Sequence, residues 1–402
     1  MYFFTIIFLL ILAFYGGLIA YYHRAWKAIG RDATRSAGMI ATEGKDTPVS
    51  GTGRLPGTKI SVLVPARNEE TNIGACLESL SRQKYPGDLY EVIVIDDHSV
   101  DNTASIVKGY SAQRRGGFSV VYIDLTAHTA DAGLVKAHKK FAIETGIGFA
   151  KGDLIVTTDA DCRSNTGWLQ AIASFYEETG AKFIAAPVKI EGDRAFLSIF
   201  QTLDFITLQG ITGAAVYKKI HSMCNGANLA YEKKAFYEVG GFRGIDAIPS
   251  GDDMLLMHKI YEKYPGLVFF LKHQQAIVST NAETGWKGFV NQRVRWASKA
   301  DQYDDQRIFR VLLLVYIMNL LFLGLVFASF WNSWFLWLLL IGLFIKTVVE
   351  YPFVRSVAGF FGQGDLMVYF PWLQPFHILY TVVIGWLGKF GSYRWKDRKI
   401  NK

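Results

Sequence analysis

Residues 2–22 read YFFTIIFLLILAFYGGLIAYY, a run without a single charge. About 20 apolar residues suffice to cross the hydrocarbon core of a bilayer. Backbone polar groups in such a run must be satisfied within it, which makes it a helix. It has no basic n-region and no cleavage site of the small-residue kind, so it is expected to remain as an anchor rather than be removed as a signal peptide. Arg24, Lys27 and Arg31 follow, which places the next segment in the cytoplasm by the positive-inside rule.

Three more apolar blocks lie near the other end, over 311–330, 331–345 and about 366–387. The first two abut and imply a tight hairpin, with the loop near Arg355 cytoplasmic. Pro371 and Pro375 interrupt the third, so its first half is expected in the interface and its second half across the membrane. The tail RWKDRKINK is strongly basic. Three full spans would leave it outside, against the charge rule, so two and three spans both stand. The blocks carry almost no ionisable group, which argues against a transporter. The formal net charge of +8 is assigned to Lys and Arg facing anionic lipid. No recognition helix or zinc pattern is present, so no nucleic-acid partner is expected. Cys76, Cys162 and Cys224 are widely spaced. They indicate neither a disulfide framework nor a zinc site, in keeping with a reducing cytosol.

Between these ends the pattern changes twice. Residues 30–58 are rich in Gly, Thr, Ser and Pro, as in a mobile linker. From Lys59, short β-rich runs (KISVLVP, EVIVIDD, FSVVYID and DLIVTTDADC) alternate with helix-like stretches at 70–82, after Asp101 and at about 136–150. That alternation predicts an α/β fold around a mainly parallel sheet. Such sheets bind ligands beyond the carboxyl ends of their strands. Arg67, Asn68, Glu69, Asp96, Asp97, Asp159 and Asp161 stand at those positions. No G-x-G-x-x-G or P-loop fingerprint accompanies them, so a bound nucleotide would need a metal to offset its phosphates.

Each motif has a functional and a plain reading. Asp159 and Asp161 are spaced i, i+2, so their carboxylates point the same way on extended backbone. They either share a hard divalent cation, Mg²⁺ or Mn²⁺, or belong to a turn in which Asp161 or Ser164 caps the helix near Gly167. A hard cation has little use for a thiol, so Cys162 reads as a packing residue. IDDHS (95–99) is a ligand site or a helix cap. In SGDDMLLMHKI (250–260), Asp252 and Asp253 favour a helix dipole, or one of them is a general base. In NQRVRW (291–296), Arg293 and Arg295 are positive-inside flanks or a diphosphate clamp, with Trp296 as an interfacial anchor or a stacking face. The apolar stretch 195–219, with Asp204 its only acid, is a buried helix or an interfacial one.

VPARNEE (64–70), IDDHS, DADC (159–162), NGANLAY (225–231), GGFRGIDAIPSGDD (240–253) and QRVRW (292–296) occur in one order along the chain. The ordered set resembles the membrane-bound family 2 glycosyltransferases, which include cellulose, hyaluronan and poly-N-acetylglucosamine synthases and ceramide glucosyltransferase. It covers about residues 60–305. The resemblance implies a glycosyltransferase A-type catalytic domain over 59–305, an anchor over 1–29, a linker over 30–58 and a membrane region over 306–402. It implies that Pro65, Arg67, Glu69, Asp97, Lys139 and Asp159 bind the donor nucleotide, with Lys136 and Lys140 competing for the place of Lys139. It assigns Asp159 and Asp161 to the metal, Asp253 or its neighbour Asp252 to the base, and Gln292, Arg293, Arg295 and Trp296 to the diphosphate and acceptor. The implied reaction is inverting transfer from a UDP-sugar to a glycan or lipid acceptor, at a bacterial inner membrane with the catalytic domain in the cytoplasm. A processive glycan synthase and a single-transfer lipid glycosyltransferase both fit. A non-catalytic nucleotide-binding regulator would require a damaged site, which the motifs do not show.

Overall fold

The computed structural model describes residues 2–30, 56–113, 117–128, 137–220, 223–246, 248, 251–298 and 306–391, and the backbone of 393–395 and 398–400. Along the chain, α1 (Tyr2–Ala28) is followed by β1 (Ile60–Ala66), α2 (Ile73–Ser81), β2 (Tyr90–Asp96), α3 (Thr103–Gln113), β3 (Ser119–Asp124), α4 (His138–Phe149), β4 (Leu154–Thr157) and β5 (Arg163–Ser164). Then come α5 (Trp168–Thr179), β6 (Phe183–Ala185), β7 (Val188–Glu191), α6 (Phe196–Tyr217), β8 (Leu229–Glu232), α7 (Lys233–Glu238), α8 (Asp252–Lys263), β9 (Val268–Phe270) and β10 (Val278–Asn281). Four helices follow: α9 (Trp286–Ala297), α10 (Gln306–Ala328), α11 (Ser333–Phe360) and α12 (Phe370–Phe390). The expected linker falls mostly on residues outside those described.

The chain divides into two compact units. One is Ile29–Glu191 with Met223–Asn281; the other is Met1–Ala28, Gly192–Ser222 and Ala282–Lys402. Two stretches inside the 59–305 span therefore group with the apolar helices.

The first unit is built on a seven-stranded sheet of order β3-β2-β1-β4-β8-β6-β9. β1 is parallel to both β2 and β4. All seven residues of β2 are buried, which is why it reads as an unbroken apolar run rather than an alternating one. The sheet is mixed, because β8 runs antiparallel to both β4 and β6. β8 therefore brings its first residue, Leu229, beside Thr157 at the carboxyl end of β4. A smaller sheet, β5-β10-β7, stands apart from the large one.

The amino ends of the strands are tied by one polar knot. Ser61 Oγ donates to Glu91 Oε1 at 2.7 Å, and the Lys151 N–H donates to the same oxygen at 2.6 Å. The Gly152 N–H donates to Ser61 Oγ at 2.8 Å. Each group in the knot is thereby satisfied, as burial demands.

The second unit is helical. The buried side of α1 carries Phe8, Leu12, Tyr15, Ile19, Tyr22 and Trp26, a stripe at helical spacing. Among the described residues, α1, α10 and α11 are long and apolar enough to cross a membrane. α11 corrects one expectation. It runs to Phe360, so Arg355 lies inside a helix rather than in a loop after the second block. Just past that block the helix carries a buried ion pair, Lys346 Nζ to Glu350 at 2.8 Å, kept by mutual satisfaction. Gln374 accepts from Lys346 at 2.6 Å and donates to Glu350 at 2.6 Å. The Tyr15 hydroxyl donates to Glu350 as well. The third block forms one helix, α12, with a proline in its first turn and Pro375 inside it.

Gly152 has no room for a side chain, since a Cβ there would lie 2.5 Å from Ser61 N and 2.6 Å from the Ile60 carbonyl carbon. Gly152→Ala is expected to destabilise the first unit by about 2 kcal/mol or more. The measurement is the thermal unfolding midpoint of the detergent-purified chain; an unchanged midpoint would contradict so close an approach.

Candidate functional site

β1 and β2 stop in register, with Ala66 beside Asp96. The chain beyond each end is zipped to the other. The Asp97 N–H donates to Ala66 O at 2.8 Å, and Arg67 Nη1 donates to Asp97 O at 2.7 Å. The Glu69 N–H donates to Thr103 Oγ1 at 2.8 Å, and Asn68 Oδ1 accepts from the Val100 N–H at 2.9 Å. Two non-glycine residues here, Asn68 (φ 52°) and His98 (φ 60°), hold left-handed backbone. Such conformations cost free energy and persist where the surroundings over-determine them.

Asp97 is buried, and cationic or potentially cationic groups surround it. His98 Nδ1 is 2.9 Å from Oδ1, His138 Nδ1 is 3.6 Å and Arg67 Nη1 is 4.0 Å. Asp97 does not cap the next helix; Asp101 does, accepting from Thr103 N–H and Oγ. Asp96 is spent on structure, accepting from the Ser99 N–H and the Tyr122 hydroxyl at 2.9 Å each. Glu69 accepts from Asn72 Nδ2 at 2.9 Å.

At the end of β4, Asp159 and Asp161 do not cap the following helix. α5 starts at Trp168 with Gly167 as its N-cap, which makes no side-chain cap bond, so neither Asp161 nor Ser164 plays that part. Lys139 Nζ meets Asp159 Oδ1 at 2.6 Å and lies 4.0 Å from Asp252 Oδ2. Burial alone would lower the pKa of this ammonium; the charges of Asp159 and Asp252 outweigh it and hold the pKa above its usual value. Lys139 therefore stays charged across the physiological range. Lys140 turns the other way, donating to the carbonyls of Ile245 and Ile248. Lys136 lies outside the described residues. Asp161 accepts from Thr280 Oγ1 at 3.3 Å.

The antiparallel β8 delivers NGANLAY to the same rim. Asn228 is fully buried and ties three segments, donating to Pro187 O and Ala276 O and accepting from Trp168 Nε1. The Gly226 N–H donates to Asp253 Oδ2 at 3.1 Å, and the Met254 N–H to Asp253 Oδ1 at 2.8 Å. A Cβ on Gly226 would stand 3.1 Å from Lys139 Nζ and 3.5 Å from Asp252 Oδ2, so a glycine is what lets Lys139 reach this junction. Asp253 is 8% exposed and is fixed through both carboxylate oxygens.

Pro65, Arg67, Glu69, Asp97, Lys139, Asp159, Asp161, Asp252 and Asp253 thus all belong to the first unit. Gln292, Arg293, Arg295 and Trp296 sit on α9 in the second. There Gln292 Nε2 donates to Glu283 Oε1 at 3.3 Å. Arg293 is 1% exposed, too deep for a plain solvated membrane flank. His98, His138 and Thr280 were not picked out from the sequence. His138 is adjacent to Lys139, but Thr280 lies 119 positions from Asp161 and gives no local signal.

Two family models match the chain. That for glycosyl transferase family 2 spans residues 61–240, and that for glycosyl transferase family group 2 spans 154–387. A probable glycosyltransferase, YdaM, of Bacillus subtilis is 28% identical over 61% of this chain and 56% of its own length. A beta-monoglucosyldiacylglycerol synthase of Synechocystis is 25% identical over 38% of this chain and 30% of its own. The chain thus spans about half the length of the first relative and less of the second. Among solved structures, a mannosyltransferase of Pyrobaculum calidifontis in complex with GDP-Man and Mn²⁺ superposes with a TM-score of 0.48 at 16% identity, over 93% of this chain and 99% of that one.

Cys76 and Cys162 flank the acidic strand end, and both are buried. Burial, then the negative charges of Asp161 and Asp159, push both thiols well above their ordinary pKa. Both are expected to stay protonated and inert. In the native protein at neutral pH, N-ethylmaleimide should label Cys224 and spare Cys76 and Cys162; equal labelling of all three on a mass map would contradict this.

Proposed function

The chain belongs to glycosyl transferase family 2, and from that premise we propose that it transfers a sugar from a UDP-sugar to an acceptor hydroxyl with inversion at the anomeric carbon. The carrying observation is the convergence at one rim of Asp97, Lys139, Asp159, Asp161 and a doubly anchored Asp253.

Asp97 and Glu69, with Arg67 just past β1 and Pro65 near its end, hold the uridine and ribose. Lys139 meets the diphosphate, its charge secured by Asp159 and Asp252. Asp253 takes the proton of the acceptor hydroxyl as that oxygen forms its bond to the anomeric carbon and the bond to UDP breaks. A carboxylate is already ionised at neutral pH, so placement matters more than a raised pKa, and the two backbone donors supply it. Asp252 faces Lys139 and maintains the local charge balance. Gln292, Arg295 and Trp296 address the diphosphate and acceptor.

The donor set suits a divalent metal. Asp159 and Asp161 offer carboxylate oxygens, and the Asp159 side chain is 37% exposed. Among the described residues no cluster of three or more His, Cys, Asp or Glu forms a cage. A pair of carboxylates is what Mg²⁺ or Mn²⁺ commonly uses beside substrate phosphates. Such an ion would offset the charge that develops on the leaving diphosphate.

Three apolar helices and the basic residues after α1 support a bacterial inner-membrane enzyme with its catalytic unit in the cytoplasm. A relative named as a glucosyldiacylglycerol synthase favours a lipid acceptor as much as a growing glycan. To test the reading, membranes are incubated with radiolabelled UDP-glucose or UDP-N-acetylglucosamine and Mn²⁺, and lipid-extractable and polymeric products are separated. Asp253→Asn should cut transfer at least about hundredfold while UDP binding persists. Asp161→Ala should lose metal-dependent UDP binding. A fully active Asp253→Asn would remove the base assignment.

A further inference from the structure

Asp204 is the single acid of α6, and no step of the reaction above uses it. Its side chain is 7% exposed. Three groups from two other helices of the same unit face it. Arg293 Nη2 of α9 is 3.3 Å from Oδ2. The Tyr380 hydroxyl of α12 donates to Oδ2 at 3.4 Å, and His377 Nε2 is 3.9 Å from Oδ1.

Arg293 has little else to hold it. Among the described residues none of its Nε, Nη1 and Nη2 atoms makes a hydrogen bond. Its guanidinium carbon lies 4.2 Å from the centre of the Trp296 ring and 5.2 Å from that of Phe289. The cation is kept by one carboxylate and two ring faces. Phe205, the next residue on α6, packs against Trp296 with ring centroids 5.7 Å apart. Consecutive residues of α6 thus hold the arginine and the indole it covers.

We propose that Asp204 is a positioning residue for the acceptor: it holds Arg293 against Trp296 and so fixes the indole on which the acceptor rests. This builds on the reading of Trp296 as an acceptor contact. A buried guanidinium stripped of its counter-charge is strongly destabilised where it stands and turns toward water. Trp296 then loses the cation on its face and the orientation that comes with it. Donor chemistry in the other unit is not addressed by this contact.

The experiment reads two products of one donor in native membranes. Radiolabelled UDP-glucose or UDP-N-acetylglucosamine, whichever the first assay accepts, gives either sugar on the endogenous membrane acceptor or free sugar by hydrolysis. In hydrolysis a water oxygen bonds to the anomeric carbon, UDP leaves, and the water proton goes to the base. Asp204→Asn should lower transfer about tenfold while hydrolysis changes by less than about twofold, and Asp204→Glu should recover at least about half of the transfer. Asp204→Asn combined with Arg293→Gln should be no worse in transfer than the worse single variant, as expected for residues acting through one contact. An equal fall in both products, an unchanged ratio, or additive losses in the double variant would overturn the proposal. Trp296→Ala separates the two levels. If it leaves the ratio unchanged, the acceptor reading of Trp296 fails and this proposal with it; if it shifts the ratio and Asp204→Asn does not, the positioning role alone fails. Should Asp204→Asn not accumulate, Arg293→Lys keeps the charge, loses the planar stack and is expected to shift the same ratio.

Discussion

β1 is hydrogen-bonded along both edges to strands that run its own way, from Ile60↔Tyr90 to Ala66↔Asp96 on one side and from Ile60↔Leu154 to Leu63↔Thr157 on the other. The candidate site depends on that shared direction. Three strands stop at one rim, so the residues just past each stop are brought together although they are far apart in sequence. A slip of one residue would turn every side chain of a strand to the opposite face. In β2 such a slip would carry the buried Asp96 carboxylate away from the Ser99 N–H and the Tyr122 hydroxyl that satisfy it. The reversed strand β8 then adds Gly226 from the opposite chain direction, which a wholly parallel sheet would not do.

The two units handle charge differently. In the first, acids gather at a partly open rim and are balanced by the ammonium of Lys139. In the second, opposite charges are paired out of water, Asp204 with Arg293 and Lys346 with Glu350. A buried pair of this kind adds little net stability over an apolar substitute, yet losing one partner costs about 3–5 kcal/mol. Asp204–Arg293 joins α6 to α9, and Gln374 and Tyr15 tie the α11 pair to α12 and α1, so these charges constrain which helices sit side by side more than they strengthen the packing.

Much of this could be read from the residues alone. The strands β1 to β4 announce themselves as apolar runs ending in polar residues, and the rim follows from the α/β pattern. Asp159, Asp161 and the Asp252–Asp253 pair stand out by position and spacing. β6, β8 and β9 were not, since runs of three or four residues carry too little periodicity to separate from helix or loop. The end of α11 was missed because Glu350, Pro352 and Arg355 read as a break in hydropathy. The cost of burying Glu350 is offset in part by Tyr15 and Gln374 on other helices, which no local window contains. The part played by Asp204 was hidden for the same reason. It could be noticed as a lone acid, but Arg293 comes 89 positions later, and only packing joins them.

The contact between Tyr15 and Glu350 spans 335 residues and has a consequence for biosynthesis. Helix α1 is synthesised long before α11, yet the acceptor that its buried hydroxyl takes lies on α11. The Lys346–Glu350 pair waits in turn for Gln374. The helical unit cannot settle in stages as its parts emerge. It closes only once α12 has been made, and until then α1 lacks the partner that its hydroxyl takes in the finished unit.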